Sequence, residues 1–116
     1  MKWEENSFED LREKVLGWSR DRGILNNSTV QMQFLKAVSE MGELADGIAK
    51  NRLGEIEDAV GDVLVCLINM TDMLEMDIVE CLYRAWVSIK DRKGQMLPGG
   101  VFVKEGDSGI GGLIGD

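Results

Sequence analysis

Apolar residues recur every three or four positions through most of this chain, and this spacing constrains its fold more than any other feature. The spacing is clearest in a segment that starts after Ser28 and runs to about Asn51. Its apolar positions are Val30, Phe34, Leu35, Val38, Met41, Leu44, Ala45 and Ile48. Because residues three and four apart share one face of an α-helix, this segment predicts an amphipathic helix.

Three further segments have the same spacing, so the sequence predicts an all-α fold with four helices. The predicted helices span Ser7 to Gly23, residues 29 to about 51, Glu55 to about Leu74, and Asp77 to about Arg92. Capping boxes mark three starts, with Ser7 and Asp10, Ser28 and Gln31, and Asp77 and Glu80 as the paired residues. The third helix is apolar on every side from Val63 to Ile68, so we expect it to be the most buried.

The remaining segments are short. Residues 24–28 read as a turn-rich connection, Pro98-Gly99-Gly100 ends helical structure, and residues 101–104 suit a short extended piece. The eleven residues from Gly106 onward contain five glycines and predict a flexible tail. The sequence therefore predicts one helical domain over residues 1–105 and a tail over residues 106–116.

Size and charge limit the partners of this domain. A chain of 116 residues buries a modest fraction of its surface, which favours self-association. The net charge of −8 disfavours direct binding to nucleic acid or to an anionic membrane. A divalent cation could still bridge carboxylates to a polyanionic substrate. The N-terminus does not resemble a signal peptide and the longest apolar run is too short to span a membrane, so we expect a cytoplasmic protein.

The content of cysteine and histidine excludes several kinds of chemistry. Cys66 and Cys81 lie in apolar helical stretches, where we expect both to be buried, and their spacing matches no zinc motif. The chain contains no histidine. Histidine-dependent catalytic triads and Cys–His dyads are therefore excluded.

Two acidic clusters carry the functional signal. Glu40 and Glu43 are three positions apart on the second helix, whereas Glu55, Asp58 and Asp62 share one face of the third. Such clusters indicate either a solvated outer face or a shared cation. Both lie beside the apolar stripe, and Gly42 and Gly61 precede the last carboxylate of each cluster. Glycine at these positions would let the two helices approach closely enough to share an ion.

The chemistry of these ligands suits a hard cation. Carboxylates without imidazole or thiolate favour Mg²⁺, with Mn²⁺ as an alternative, over zinc. Such an ion polarises a phosphate and lowers the pKa of a bound water, so no protein nucleophile is needed.

The run from Lys36 to Leu44, followed by the run from Asp58 to Leu64, resembles the signature of the MazG-type nucleoside triphosphate pyrophosphohydrolases, E-E-x-x-E and then E-x-x-D on the next long helix. The likeness covers roughly residues 28–94. It implies a helical bundle that forms dimers or tetramers and hydrolyses a nucleoside triphosphate to the monophosphate and pyrophosphate with Mg²⁺. It also implies that Glu40, Glu43 and Asp62 are catalytic metal ligands. Asp58, which shares a helix face with Asp62, is the expected fourth ligand, with Glu55 as the alternative.

Two positions depart from that signature. Ser39 stands where the family often has a glutamate, and Ala59 stands three residues before Asp62, where a glutamate is usual. These departures leave open a helical interaction module without catalytic activity. A phosphoribosyl-ATP pyrophosphatase-like enzyme is a second alternative, since that class has related acidic helices.

Basic and amide residues are the candidates for substrate binding. They are Lys36, Asn69, Lys90, Arg92 and Lys93. Lys36 lies one turn before Glu40, and Asn69 could hydrogen-bond the base or sugar. Trp18 and Trp86 could flank a nucleobase, although we expect both to pack in the core.

Overall fold

The computed structural model describes residues 2–106, and in this part of the chain the fold is mostly helical, as predicted. Its elements are a short 3₁₀ turn (Trp3–Glu5), α1 (Phe8–Asp21), α2 (Ile24–Asn27), α3 (Val30–Ala49), α4 (Leu53–Met73), α5 (Ile78–Ile89), β1 (Gly94–Leu97) and β2 (Val101–Lys104). The four predicted helices correspond to α1, α3, α4 and α5. None of the helices between residues 2 and 106 is both long and apolar enough to cross a membrane.

Residue contacts group residues 2–81 and residues 82–106 into two compact units. In the first unit α3 packs along α4, and α1 packs against α4 and α2. The buried apolar residues are Leu16, Ala37, Ala59, Cys66 and Ile68. Within the described part of the chain α4 contains more buried residues than any other helix, which confirms the expectation from its apolar middle. The single domain over residues 1–105 stays a prediction.

The start of α1 follows the sequence closely. The hydroxyl of Ser7 accepts a hydrogen bond from the backbone N–H of Asp10, and the Asp10 carboxylate accepts one from the backbone N–H of Ser7, both at 3.0 Å. This capping box satisfies two N–H groups that the helix itself leaves unpaired. The predicted start of α1 is therefore confirmed.

The connection to α3 differs from the prediction. Residues 24–27 form the short helix α2, which follows Gly23 at a positive φ of 77° that favours glycine. The cap of α3 is Thr29, whose hydroxyl accepts from the N–H of Met32 at 3.1 Å. The predicted cap, Ser28, was wrong by one residue because its hydroxyl accepts a hydrogen bond from the Gln33 side chain instead.

The glycines do not act where the sequence suggested. A Cβ at Gly42 or Gly61 would have no neighbouring atom within 4 Å among residues 2–106, so no described helix closely approaches either position. The close approach of α3 and α4 occurs at the buried Gly47, where a Cβ would lie 3.3 Å from a side-chain carbon of Ile56. Burial of Cys66 is confirmed, whereas Cys81 is exposed.

The second unit contains most of α5 and a β-hairpin. The extended piece over residues 101–104 is confirmed as β2. Its antiparallel partner β1 was missed because Gly94 to Leu97 shows no alternation of polar and apolar residues. The hairpin turn holds Gly99 at a φ of 96°, and the N–H of Gly100 donates to the carbonyl of Leu97 at 3.1 Å. α5 accordingly ends at Ile89, three residues before the predicted end at Arg92. The predicted flexible tail lies outside the described residues beyond Gly106.

Candidate active site

Helices α3 and α4 bring most of the predicted carboxylates to one open depression of about 420 Å³, which we name the acidic cleft. It is lined by Glu43, Asp46, Arg52, Glu55, Asp58, Ala59 and Asp62. Three of the four predicted metal ligands, Glu43, Asp58 and Asp62, therefore border the same space. All three are exposed to solvent.

The fourth predicted ligand, Glu40, lies one turn before Glu43 and faces a neighbouring pocket of about 200 Å³, which we name the amide pocket. This pocket is lined by Trp18, Ile24, Gln33, Lys36, Glu40, Asp62, Val65, Cys66 and Asn69. Asp62 lines both spaces, so the acidic cleft and the amide pocket meet at this carboxylate. Two of the predicted substrate-binding residues, Lys36 and Asn69, belong to the amide pocket.

The environment of Glu40 shows how strongly the carboxylates interact. Its pKa is raised above the usual value, first by hydrogen bonding with the side chain of Glu43, then by burial and by the negative charges of Glu43 and Asp62. The positive charge of Lys36 opposes this shift. One oxygen of Glu40, Oε2, is buried and has no hydrogen-bond partner. The junction of the two spaces therefore concentrates negative charge that the protein compensates only in part.

These residues have the donor chemistry of a divalent metal site. Across residues 2–106 no three Asp, Glu or Cys side chains are close enough to hold one ion as they stand. The donors at the junction are nevertheless all carboxylate oxygens, which hard cations such as Mg²⁺ prefer. A cation at the junction would satisfy the unpartnered Oε2 of Glu40 and offset the repulsion among the carboxylates. The residues present thus fit a divalent cation in chemistry.

Two other carboxylates of the acidic cleft already have partners. Arg52 Nη1 lies 3.2 Å from Glu55 Oε1, and Lys50 Nζ lies 2.9 Å from Asp46 Oδ2. Of the two alternatives for the fourth metal ligand, Glu55 is therefore engaged in an ion pair with Arg52.

A chain of hydrogen bonds borders the amide pocket and connects side chains of α1, α4 and α3 with Ser28, which follows α2. Ser19 Oγ donates to Asn69 Oδ1 at 2.6 Å, and Asn69 Nδ2 donates to Gln33 Oε1 at 3.3 Å. Gln33 Nε2 in turn donates to Ser28 Oγ at 3.0 Å. Ser19, Gln33 and Asn69 are only 0%, 7% and 2% exposed. Sequence reasoning found Asn69 but missed Ser19 and Gln33, whose only signal was a polar side chain beside apolar helical positions.

The two aromatic candidates, Trp18 and Trp86, are both exposed. Trp18 lines the amide pocket with 47% of its surface exposed, and the Arg22 guanidinium lies 5.6 Å from the centre of its ring. Trp86 is exposed as well, so the expectation that both pack in the core was wrong.

Lys90, Arg92 and Lys93 belong to the second unit. There Lys90 pairs with Asp91 at 3.4 Å, and Arg92 donates to the Ser88 hydroxyl at 3.3 Å. Their role in substrate binding stays a prediction.

In this fold, carboxylates from both α3 and α4 surround one cleft. Comparison with known proteins identifies the class to which such a fold belongs. The model of the MazG nucleotide pyrophosphohydrolase domain matches residues 29–95, which include both acidic clusters. This chain belongs to the MazG nucleotide pyrophosphohydrolase family.

A relative in Haemophilus phage HP1 (strain HP1c1) carries the description "Uncharacterized 18.2 kDa protein in rep-hol intergenic region". It is 35% identical over 72 residues, which cover 62% of this chain and 44% of the relative. The matched part of this chain thus spans less than half the length of that relative. No solved structure matches the chain.

Proposed function

We propose that this chain is a Mg²⁺-dependent pyrophosphohydrolase that converts a nucleoside or deoxynucleoside triphosphate and water to the monophosphate and pyrophosphate. The observation that carries the proposal is the meeting of Glu40, Glu43 and Asp62 where the acidic cleft joins the amide pocket. Membership of the family supports the same reaction class.

Glu40, Glu43, Asp58 and Asp62 would hold the metal, with Mn²⁺ as an alternative to Mg²⁺. We choose Asp58 over Glu55 as the fourth ligand because Glu55 is paired with Arg52. When bound, the ion would polarise the phosphates and lower the pKa of a water molecule that it binds.

The side chains around the junction have separate tasks in this proposal. Lys36, which contributes a positive charge beside Glu40, offsets part of the negative charge of the substrate. The oxygen of water forms a bond to the α-phosphorus, the bond from that phosphorus to the bridging oxygen breaks, and pyrophosphate leaves. The proton released by water passes to a carboxylate of the acidic cleft that is not holding the metal.

We also propose that a second copy of the chain completes the bundle, as a homodimer or homotetramer in the cytoplasm. Exposed apolar residues recur along α3 at Phe34, Val38, Met41 and Ile48, and α4 exposes Val60 and Leu64. An apolar surface of this extent on one chain is typical of an interface between proteins. Sedimentation of the parent and of Met41→Glu tests this arrangement, and a monomeric parent would contradict it.

The principal test is incubation of the purified chain with each ribonucleoside and deoxyribonucleoside triphosphate in the presence of Mg²⁺. We expect monophosphate and pyrophosphate in equal amounts, and no product after chelation of the metal. Release of inorganic phosphate instead of pyrophosphate would refute the reaction.

The absence of product from every nucleotide would favour the interaction module, for which Ser39 and the buried Ala59 are the supporting features. Addition of phosphoribosyl-ATP as a competitor distinguishes the remaining alternative, because a phosphoribosyl-ATP pyrophosphatase-like enzyme would be inhibited by its own substrate.

A further inference from the structure

We propose that the second unit of one copy of the chain, which begins at Leu82 in α5 and includes the β-hairpin, covers the exposed apolar residues of α3 in a second copy, and that this contact is reciprocal. These exposed residues, which we name the α3 face, are Phe34, Val38, Met41 and Ile48. The inference rests on the proposed homodimer, because it states which surface of the partner lies on the α3 face.

The second unit has no core of its own. As far as the structure describes this unit, none of its side chains is buried. Leu82, Trp86 and Ile89 are three and four positions apart, so they share one face of α5, where each is about half exposed. The hairpin adds Met96 and Phe102, which lie opposite each other on β1 and β2 and are also exposed. Because an ordered segment must bury apolar surface to offset its loss of conformational entropy, we expect another surface to cover this unit.

The exposed apolar area of the second unit is large enough for a stable contact. Its large apolar side chains are on average about half exposed, namely Leu82, Tyr83, Trp86, Val87, Ile89, Met96, Val101 and Phe102. At roughly 150 Å² for a complete side chain, they present on the order of 600 Å² of apolar surface. A standard protein interface buries about 800 Å² per partner, of which about three fifths is apolar. One second unit therefore supplies the apolar area that one stable contact needs.

Charge determines which surface of the partner fits the second unit. Residues 82–106 contain five Lys or Arg and two Asp or Glu, which gives a net charge of +3. Residues 2–81 contain eight Lys or Arg and seventeen Asp or Glu, which gives a net charge of −9. Two first units or two second units would therefore repel each other. A second unit on the first unit of the partner brings opposite charges together, so the α3 face is the complementary surface.

A reciprocal contact agrees with the two-fold symmetry that homodimers usually have. Each copy then supplies its second unit and receives the second unit of its partner. Both apolar surfaces of each copy are covered in this way, and no uncovered surface is left to which further copies could add.

The test compares dimer dissociation constants, measured by sedimentation, for a variant of each surface. Met41→Glu places a charge on the α3 face, and Trp86→Glu places one on α5. We expect each variant to raise the dissociation constant at least about a hundredfold, because both contacts of its homodimer then contain a buried charge. Trp3→Glu makes the same change at an exposed residue near the N-terminus and should keep the constant of the parent. A Trp86→Glu variant that associates as tightly as the parent would overturn the proposal.

A mixture of the two variants distinguishes the reciprocal contact from pairing of like surfaces. In the mixed dimer the second unit of the Met41→Glu copy lies on the α3 face of the Trp86→Glu copy, and neither surface of that contact is altered. We therefore expect fluorescently labelled Met41→Glu to dimerise when unlabelled Trp86→Glu is added, but not when unlabelled Met41→Glu is added.

Pairing of like surfaces has the opposite outcome. Each contact of the mixed dimer would then keep one altered side, so the labelled variant would stay monomeric after addition of Trp86→Glu. That result would refute the reciprocal contact.

The salt dependence of the parent covers the case in which a variant does not fold, which circular dichroism would reveal. Salt screens the attraction between oppositely charged units. We expect the dissociation constant of the parent to rise by about tenfold between about 50 mM and about 500 mM NaCl. A constant that stays the same or falls would contradict a contact between opposite charges.

These measurements do not depend on turnover. A parent that releases pyrophosphate, combined with a mixture that stays monomeric, would leave the proposed reaction standing and refute the reciprocal contact. Association in the mixture without release of pyrophosphate would do the reverse. A monomeric parent would overturn the reciprocal contact together with the proposed homodimer.

Discussion

The acidic cleft and the amide pocket meet at Asp62, but their polar groups are partnered in different ways. In the cleft Glu43, Asp58 and Asp62 are exposed, and the junction leaves Oε2 of Glu40 without a hydrogen-bond partner. In the pocket Ser19, Gln33 and Asn69 are buried and bonded to one another. The polar groups of the pocket are therefore paired within the protein, whereas a cation in the cleft would offset the charge of its carboxylates.

Because of this difference, we expect substitutions in the cleft and in the pocket to affect different properties of the protein. Exposed carboxylates of like charge contribute little to folding and can even oppose it. Buried amides contribute to stability because an amide that loses its partner is left without water as well. Substitutions in the cleft should therefore reduce turnover and spare the fold, whereas substitutions in the pocket should weaken the fold.

The largest effect is expected in the acidic cleft. Glu43→Gln keeps the shape of the side chain but removes its charge, so we expect turnover to fall at least about a hundredfold. The thermal midpoint and the helical circular dichroism should stay the same, since Glu43 is exposed. Glu57→Gln, an exposed change on α4 outside the lining of the cleft, is the control. Equal rates in Glu43→Gln and the parent would remove Glu43 from the mechanism.

The amide pocket should give the largest loss of stability. Asn69→Ala leaves the Ser19 hydroxyl and the Gln33 carbonyl without a partner, so we expect the free energy of unfolding to fall by about 2 kcal/mol. Urea denaturation measures the change. The exposed Asn26→Ala should alter stability by less than about 0.5 kcal/mol. A neutral Asn69→Ala would mean that the pocket is not balanced by its hydrogen bonds.

Gly61 and Gly47 should respond differently to replacement by alanine. Gly61→Ala has open space around it and should stabilise the chain by roughly 0.5–1 kcal/mol, because glycine weakens a helix. Gly47→Ala would place a Cβ 3.3 Å from a side-chain carbon of Ile56, so this contact should offset part or all of the same gain. The same denaturation experiment measures both. A destabilised Gly61→Ala would instead indicate that a second copy of the chain packs against this face.

The smallest effect concerns a carboxylate outside the cleft that has protein partners. The pKa of Asp77 lies below its usual 3.8, first because the N–H of Val79 donates to it and then because of Arg12 at 2.6 Å. A lowered pKa stabilises the fold above the unfolded value, and this contribution is lost as the pH falls through the folded value.

In Asp77→Asn, stability should therefore fall less steeply between about pH 5 and pH 2 than in the parent. Asparagine also caps helices well, so the substitution isolates the charge. Denaturation at several pH values measures the two slopes. Parallel curves for variant and parent would contradict the role of the charge.

Particular residues show how far the sequence could predict this structure. The capping box of Ser7 and Asp10 and the helical spacing of α3 and α4 depend on neighbours within one turn, so local reasoning succeeded there. The cap of α3 at Thr29 was missed because Ser28 and Thr29 both have a hydroxyl that can cap a helix. The Ser28 hydroxyl is instead bonded to the Gln33 side chain, which leaves Thr29 as the cap. The close approach at Gly47 was missed because it depends on where α4 packs rather than on the acidic motifs.

The candidate site was predictable in part for the same reason. Helical spacing placed Glu40 and Glu43 on one face and Asp58 and Asp62 on another, and the family motif singled out these residues. Spacing along one helix contains no information about a partner on another helix. For that reason the sequence did not reveal that Ser19, Gln33 and Asn69 bond to one another.

The sequence by itself determined a mostly helical chain with two acidic segments and membership of the MazG family, because these follow from local periodicity and short motifs. Only the tertiary structure decided that Asp62 joins the cleft to the pocket and that Asn69 lies buried between Ser19 and Gln33. Ser19 and Asn69 are 50 positions apart, and a contact over such a separation depends on how the helices pack, which is a property of the whole chain.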